Sequence, residues 1–354
     1  MSQRDLQLDL FRGFIMIWVM LIHSLYWSGL LKDKEVYFSY LLVEMPIFFF
    51  ITGASNSLGK GKTIANFYYS RMKRIFIPYW AYAISCVFII HITISYFGQQ
   101  SNISFFDWLL PYNAPWSNIS YINWHLWFIP VYVLVILLYP FLKFVYKQLP
   151  HRLKLMPLFL LVGLILLADF MNYNHNYYKS VLVYSFFTYI GLLYSSYRQT
   201  PLKKILLSVL GMSSFLICYL LVVYKNYPID MQLNKFPPNA VFLFYNLGIF
   251  CILILVKKYV VFLLKLPVIN TVVGVYSTYG YTIYLFHPFS FIIVSFIVGD
   301  FKLGGYLIAH PIVSVLLIFV FVCLFNLLIA KIFGELEKVE IKFRFPRLFF
   351  SKNN

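Results

Sequence analysis

The run Leu8 to Leu31, LDLFRGFIMIWVMLIHSLYWSGLL, is apolar for 24 residues yet carries an arginine and a histidine in its interior. A helix needs about 20 residues to cross a bilayer, so this stretch is long enough to span one. Arg12 and His23 lie eleven positions apart. That is close to three helical turns, which puts both on one face and about 16 Å apart along the axis. Ionisable groups inside a span cost roughly 2.5–3.5 kcal/mol each on insertion scales and commonly mark a functional pathway. Arg12 can also snorkel to lipid phosphates or pair with Asp9, and His23 can serve as a satisfied interior group. Neither of these plainer roles accounts for the shared face.

The rest of the chain is equally apolar. Of 354 residues, 61% are hydrophobic and only 12% are charged, against about 25% charged in soluble domains. No segment is polar enough to form a separate water-soluble domain. Apolar runs predict an all-α, polytopic membrane helical bundle of about ten transmembrane helices. They lie near 9–30, 36–58, 75–97, 124–146, 154–172, 179–197, 202–224, 237–256, 267–299 and 305–332. The ninth, with Gly274, Gly280 and Pro288, is expected to kink or break. No small-residue cleavage site follows the first run, which predicts an uncleaved signal-anchor. The chain divides into a transmembrane domain, 1–332, and a basic tail, 333–354.

The net charge of +17 follows this topology. With the N-terminus inside, Lys and Arg number two in the N-terminal segment (Arg4 and Arg12), five in 59–74 and four in 143–154. Three more fall in each of 198–204 and 257–265, and six from Lys331 onward. Lys32, Lys34, Lys179, Lys225, Lys235 and Lys302 fall on the other side. That asymmetry is the positive-inside pattern and places both termini in the cytosol. The basic charge is thereby topological, no nucleic-acid partner is expected, and the basic-aromatic tail should lie on the lipid of the inner leaflet. In the outer loop 98–123, Trp108 and Trp116, with Trp124 just beyond, suit an interfacial belt or a sugar-stacking surface. Asn102-Ile-Ser and Asn118-Ile-Ser match the glycosylation acceptor pattern, which matters only in a eukaryotic secretory pathway.

Glu44 is the one carboxylate well inside a predicted span. By helical rise it lies about 12 Å below the outer face, and His23 about 10 Å below it, so the two can meet across adjacent helices. A carboxylate on one ring nitrogen of a histidine fixes the tautomer and raises basicity, as general-base catalysis requires; the alternative is a polar contact that joins two helices. Arg71 and Arg74, three residues apart on one helix side, suit bidentate grip of phosphates or ordinary anchoring at the basic side. Gly59-Lys-Gly-Lys-Thr63 resembles a phosphate loop, but the required first glycine is Asn56. His125 stands in NWHLWFIP and His287 in TIYLFHP, whereas His91, His310, His151 and His175 belong to no constellation. No histidine spacing suits a metal, and the four cysteines, all in apolar runs, form neither a metal pattern nor a disulfide framework.

Five of these segments, in order, resemble the acyltransferase 3 family of integral-membrane O-acyltransferases, which acetylate bacterial surface carbohydrates. They are LDLFRGFIMIWVMLIH with Arg12 and His23, EMPIFFFITG ending at Thr52 and Gly53, SRMKRIFIPYW with Arg71, Arg74 and Pro78, WHLWFIPV, and TIYLFHPF. The resemblance covers about Leu8 to Lys331. It departs at Glu44-Met45-Pro46, where many members have a glycine-rich start. What it implies is a cell-membrane enzyme, of bacterial type, that moves an acetyl group from cytosolic acetyl-CoA to a carbohydrate hydroxyl. His23 would be the catalytic histidine, with Glu44 as its orienting partner, and Arg12, Arg71 and Arg74 would be donor-site residues. Trp124, His125 and Trp127 are expected at the acceptor mouth and His287 at the inner chamber. Direct transfer and a transient acyl-histidine both remain open, as do a succinyl or longer acyl donor and, from another class, a proton-coupled glycan transporter or flippase.

Overall fold

The computed structural model describes residues 5–59, 63–97, 105–111, 121–173, 176–197, 204–300 and 304–339. Trp116, both Asn-Ile-Ser sequences, His175, Lys302, residues 60–62 of the glycine-lysine loop and the tail from residue 340 lie outside the described residues. Among those described, every extended element is helical. In chain order these are α1 Leu6–Trp27, α2 Glu35–Ser39, α3 Glu44–Leu58, α4 Ile64–Phe97, α5 Tyr121–Trp124, α6 Phe128–Gln148, α7 Met156–Phe170 and α8 Asn176–Tyr197. They continue as α9 Lys204–Lys225, α10 Met231–Lys235, α11 Ala240–Leu264, α12 Pro267–Thr278, α13 Gly280–Phe286, α14 Pro288–Asp300, α15 Gly304–Ala309 and α16 Pro311–Phe333.

Among the described residues eight stretches are long and apolar enough to cross a membrane, or nine when α13 and α14 count as one bent span. Ten runs were expected from hydropathy, and two differences account for the gap. Helix α8 is 22 residues long but is an interior helix, with Lys179, Ser180, Ser185 and Thr188 all buried, so no window of it is apolar enough. The expected ninth run is divided into α12, α13 and α14. The second run is also interrupted: a 3-10 turn at Lys32–Lys34, short α2 and a turn at 40–43 precede α3. Pro46 suits the start of α3, because its missing N–H falls in the first turn, where that group has no partner within the helix. Glu44 therefore opens a helix instead of lying in the middle of one.

Membrane helices associate through close packing, which favours small residues at crossings. Helices α3 and α8 form the closest pair, α9 lies on α11, and α1 packs on α12, α3 and α16. At the first crossing, a Cβ added to Gly53 would stand 2.1 Å from the Thr188 carbonyl oxygen, and one on Gly191 2.2 Å from that of Phe50. The backbones touch, so only glycine fits. Gly13 plays the same part for α1 against Val273 of α12. The core between these helices is dense with aromatic rings, Phe49 stacking on Tyr184 at 4.5 Å and Phe128 on Tyr132 at 5.4 Å.

Two ion pairs are buried in this bundle. Lys179 meets Asp169 at 2.5 Å, and Asp169 also accepts the Ala240 amide at the start of α11. Lys235 meets Glu44 at 2.6 Å. Removing one member of such a pair strands a charge and typically costs 3–5 kcal/mol.

Candidate active site

His23 sits in the last turns of α1, four residues before Trp27, and its ring stacks on the indole with centroids 4.2 Å apart. One helical turn brings such residues face to face. His287 comes from the junction of α13 and α14 and lies over the same indole at 5.1 Å. The two imidazoles are joined edge to edge, His23 Nδ1 to His287 Nε2, at 2.6 Å.

The direction of that bond follows from Pro288. In a continuous helix the residue 288 amide would bond to the Tyr284 carbonyl four residues back, but proline has no N–H. The helix bends by 41° there, and the Tyr284 carbonyl instead takes His287 Nδ1 at 2.7 Å. A carbonyl only accepts, so Nδ1 of the neutral His287 ring carries the proton and Nε2 is bare. His287 Nε2 therefore accepts from His23 Nδ1–H, and the neutral His23 ring keeps its lone pair on Nε2. A proline one residue beyond one histidine thus sets the tautomer of another.

His125 completes the cluster, its ring 5.1 Å from that of His287 and edge-on to it. Its Nε2 donates to the Leu285 carbonyl at 3.2 Å, and the Tyr284 hydroxyl donates to the His125 carbonyl. The structure therefore brings His23, His125 and His287 together. Glu44, expected at His23, pairs with Lys235 instead. Trp127 belongs to that second group, with Lys235 Nζ 5.5 Å from its ring centroid, whereas Trp124 is exposed. Lys235, read from sequence as an outer-loop cation, is 5% exposed. No sequence signal marks it, because its burial depends on the turn 228–239 folding inward. That turn is held by Asn234, which donates to the Pro228 and Asp230 carbonyls, and by Ser39 Oγ, which accepts the Met231 amide.

The three arginines gather at the other end of α1. Arg12 donates to Asp9 at 2.7 Å and to Ser55 Oγ at 2.8 Å, and Arg71 donates to Asn56 Oδ1. Adjacent residues near the end of α3 thus receive one guanidinium each, and Arg74 lies within electrostatic range of Arg12. Arg74 also pairs with Glu337 at 3.0 Å, in the 3-10 turn Gly334–Lys338 that folds back onto α4. Glu337 is anchored by the Thr282 amide at 2.8 Å, and about half of the Arg74 side chain stays open to solvent.

Between the two ends runs a narrow apolar cavity of about 20 Å³, room for little more than one water. Ile15, Met16 and Val19 of α1 line it, facing Met45, Phe48, Phe128, Tyr281 and Tyr284. The α1 lining residues fall between Arg12 and His23 in sequence, so the cavity lies on the line joining the arginines to the histidines. Among the described residues no group of three His, Cys, Asp or Glu side chains could hold a metal ion.

A family model described as an acyltransferase domain, acyltransferase 3, matches residues 5–332, nearly the whole chain. No curated protein and no solved structure matches it.

Proposed function

The chain belongs to the acyltransferase 3 family, and from that membership we propose that this membrane acyltransferase is an O-acetyltransferase acting on a carbohydrate. The donor is acetyl-CoA, approaching from the cytosol, and the acceptor is a hydroxyl of a cell-surface or lipid-linked glycan. The observation that carries this reading is the directed pair His287–His23, which leaves a basic nitrogen on His23, with a small apolar cavity lined by α1 residues that fall between it and Arg12 in sequence.

In this reading Arg12, Arg71 and Arg74 hold the phosphates of the donor, and the thioester arm follows the cavity to His23. His23 Nε2 takes the proton of the acceptor hydroxyl as its oxygen bonds to the thioester carbon. The carbon–sulfur bond then breaks, and the departing thiolate recovers that proton from the imidazolium. His287 holds the ring in the productive tautomer throughout. A positioned base of this kind contributes about 10²–10⁴-fold to rate.

The test is proton NMR of O-acetyl groups on the host's surface glycans in wild type, a deletion strain, and the deletion complemented with His23→Ala at equal expression. The same acetyl signals should be missing from the deletion and the His23→Ala strain. Full recovery by His23→Ala would remove the histidine from the chemistry and favour a transport role.

The passage makes a second prediction. Met16 and Met45 are flexible side chains that can yield to a thioester arm, whereas a phenylalanine ring cannot fold aside. Met16→Phe should lower acetyl transfer at least about tenfold with CoA binding retained, while the larger ring costs about 1–3 kcal/mol of stability, which a thermal melt reads. Undiminished transfer in Met16→Phe, measured with radiolabelled acetyl-CoA, would place the donor route elsewhere.

A further inference from the structure

The Glu44–Lys235 pair lies at the histidine end of the passage. Met45 and Tyr284 line the cavity, the charge of Glu44 reaches Tyr284 and Tyr184, and that of Lys235 reaches His23. Glu44 is 3% exposed and its Oε1 accepts from Lys235 Nζ, while its Oε2 has no hydrogen-bond partner among the described residues. The hydroxyl of Tyr184, wholly buried, has none either. Trp127 flanks both, its ring 6.4 Å from that of Tyr184 and under the Lys235 ammonium. Buried polar atoms in native proteins are usually paired, with protein or with ordered water, so these two oxygens each have capacity for a further partner.

We infer that Glu44, Lys235 and Tyr184 form a subsite for a second hydroxyl of the acceptor, adjacent to the one acylated, so that the enzyme selects a neutral vicinal diol. This rests on the acyl-transfer reading above. Glu44 Oε2 accepts from that hydroxyl and the Tyr184 hydroxyl donates to it. Lys235 neutralises the carboxylate, so the site carries no net charge. An acceptor bearing a carboxylate or an ammonium group would leave an uncompensated charge in a low-dielectric interior, which is costly. A hydroxyl brings a donor and an acceptor without adding charge. Trp127 offers an apolar wall for the ring carbons.

The probes are cis-1,2-cyclohexanediol and cyclohexanol, which differ by one hydroxyl. They are offered with radiolabelled acetyl-CoA to the full-length protein in lipid nanodiscs, and CoA release is followed in parallel. Wild type should favour the diol in kcat/KM by about tenfold or more, the worth of a hydrogen bond to a charged group. Tyr184→Phe, which removes one oxygen, should cut that preference severalfold through KM. Glu44→Gln/Lys235→Met, which removes both charges together and strands neither, should bring it close to unity. A double variant that keeps the wild-type preference overturns the subsite. If the double variant does not fold, Tyr184→Phe decides alone, and an unchanged ratio there is equally fatal. Wild type that releases CoA from acetyl-CoA but acylates both alcohols equally, or neither, also overturns it. Failure to release CoA at all overturns the acyl-transfer reading, and the subsite with it.

Discussion

His287→Leu is expected to lower acetyl transfer by about 10²–10⁴-fold, nearly as much as loss of a general base itself. Leucine fills much of the same buried volume but offers nothing to His23 Nδ1. The His23 ring is then free to carry its proton on Nε2, the nitrogen that must accept one. His287→Gln tests the cause, since a glutamine carbonyl can accept from Nδ1–H where leucine cannot. It should recover at least part of the lost rate. Steady-state transfer in purified protein gives both numbers, with melting temperatures to show that the bundle persists. A leucine variant within a fewfold of wild type would mean that the 2.6 Å contact does not govern the tautomer. Equal activity of the leucine and glutamine variants, both low, would point to a direct role for His287 with the substrate.

That relay was legible in the sequence only in part. The eleven-residue spacing of Arg12 and His23 is a helical property and needs no tertiary information. In the fold, α1 carries both residues, and Ile15, Met16 and Val19, which fall between them in sequence, line a small apolar cavity. The break at Pro288 was likewise expected from composition. What composition does not state is which carbonyl the proline releases and which ring takes it. That follows only once the bend sets His287 beside α1. Glu44 illustrates the opposite case. Counting helical rise puts it at about the depth of His23, but depth does not fix a partner. Helix α3 starts at Glu44 and the turn before α11 folds inward, so the carboxylate meets Lys235. The positive-inside count treats Lys235 as a solvated loop charge, because it weighs sides of the membrane and not contacts. Helix α8 has the length expected of a span, but its buried serines, threonine and lysine make it an interior helix of the bundle, which its sequence alone does not state.

Gly191→Val should be strongly destabilising. The added side chain would begin 2.2 Å from the Phe50 carbonyl oxygen and 2.7 Å from the Ala54 amide nitrogen. Both are backbone atoms of α3, so no rotamer change relieves the clash and the helices must separate. Overpacking a core costs typically 1–3 kcal/mol when side chains can shift, and here none of the opposing atoms can. The damage extends beyond stability, because Ser55 and Asn56 follow directly on the crossing and hold Arg12 and Arg71. With the arginines holding the donor as proposed, any molecules that do fold should bind CoA more weakly. Gly163→Val is the control: its Cβ would meet nothing within 4 Å, on the exposed face of α7. Size-exclusion profiles and thermal melts of the two variants in the same detergent separate the outcomes. Gly163→Val should match wild type, while Gly191→Val should aggregate or melt well below it. A Gly191→Val protein with a wild-type melt and wild-type CoA affinity would show that α3 and α8 do not cross at backbone contact.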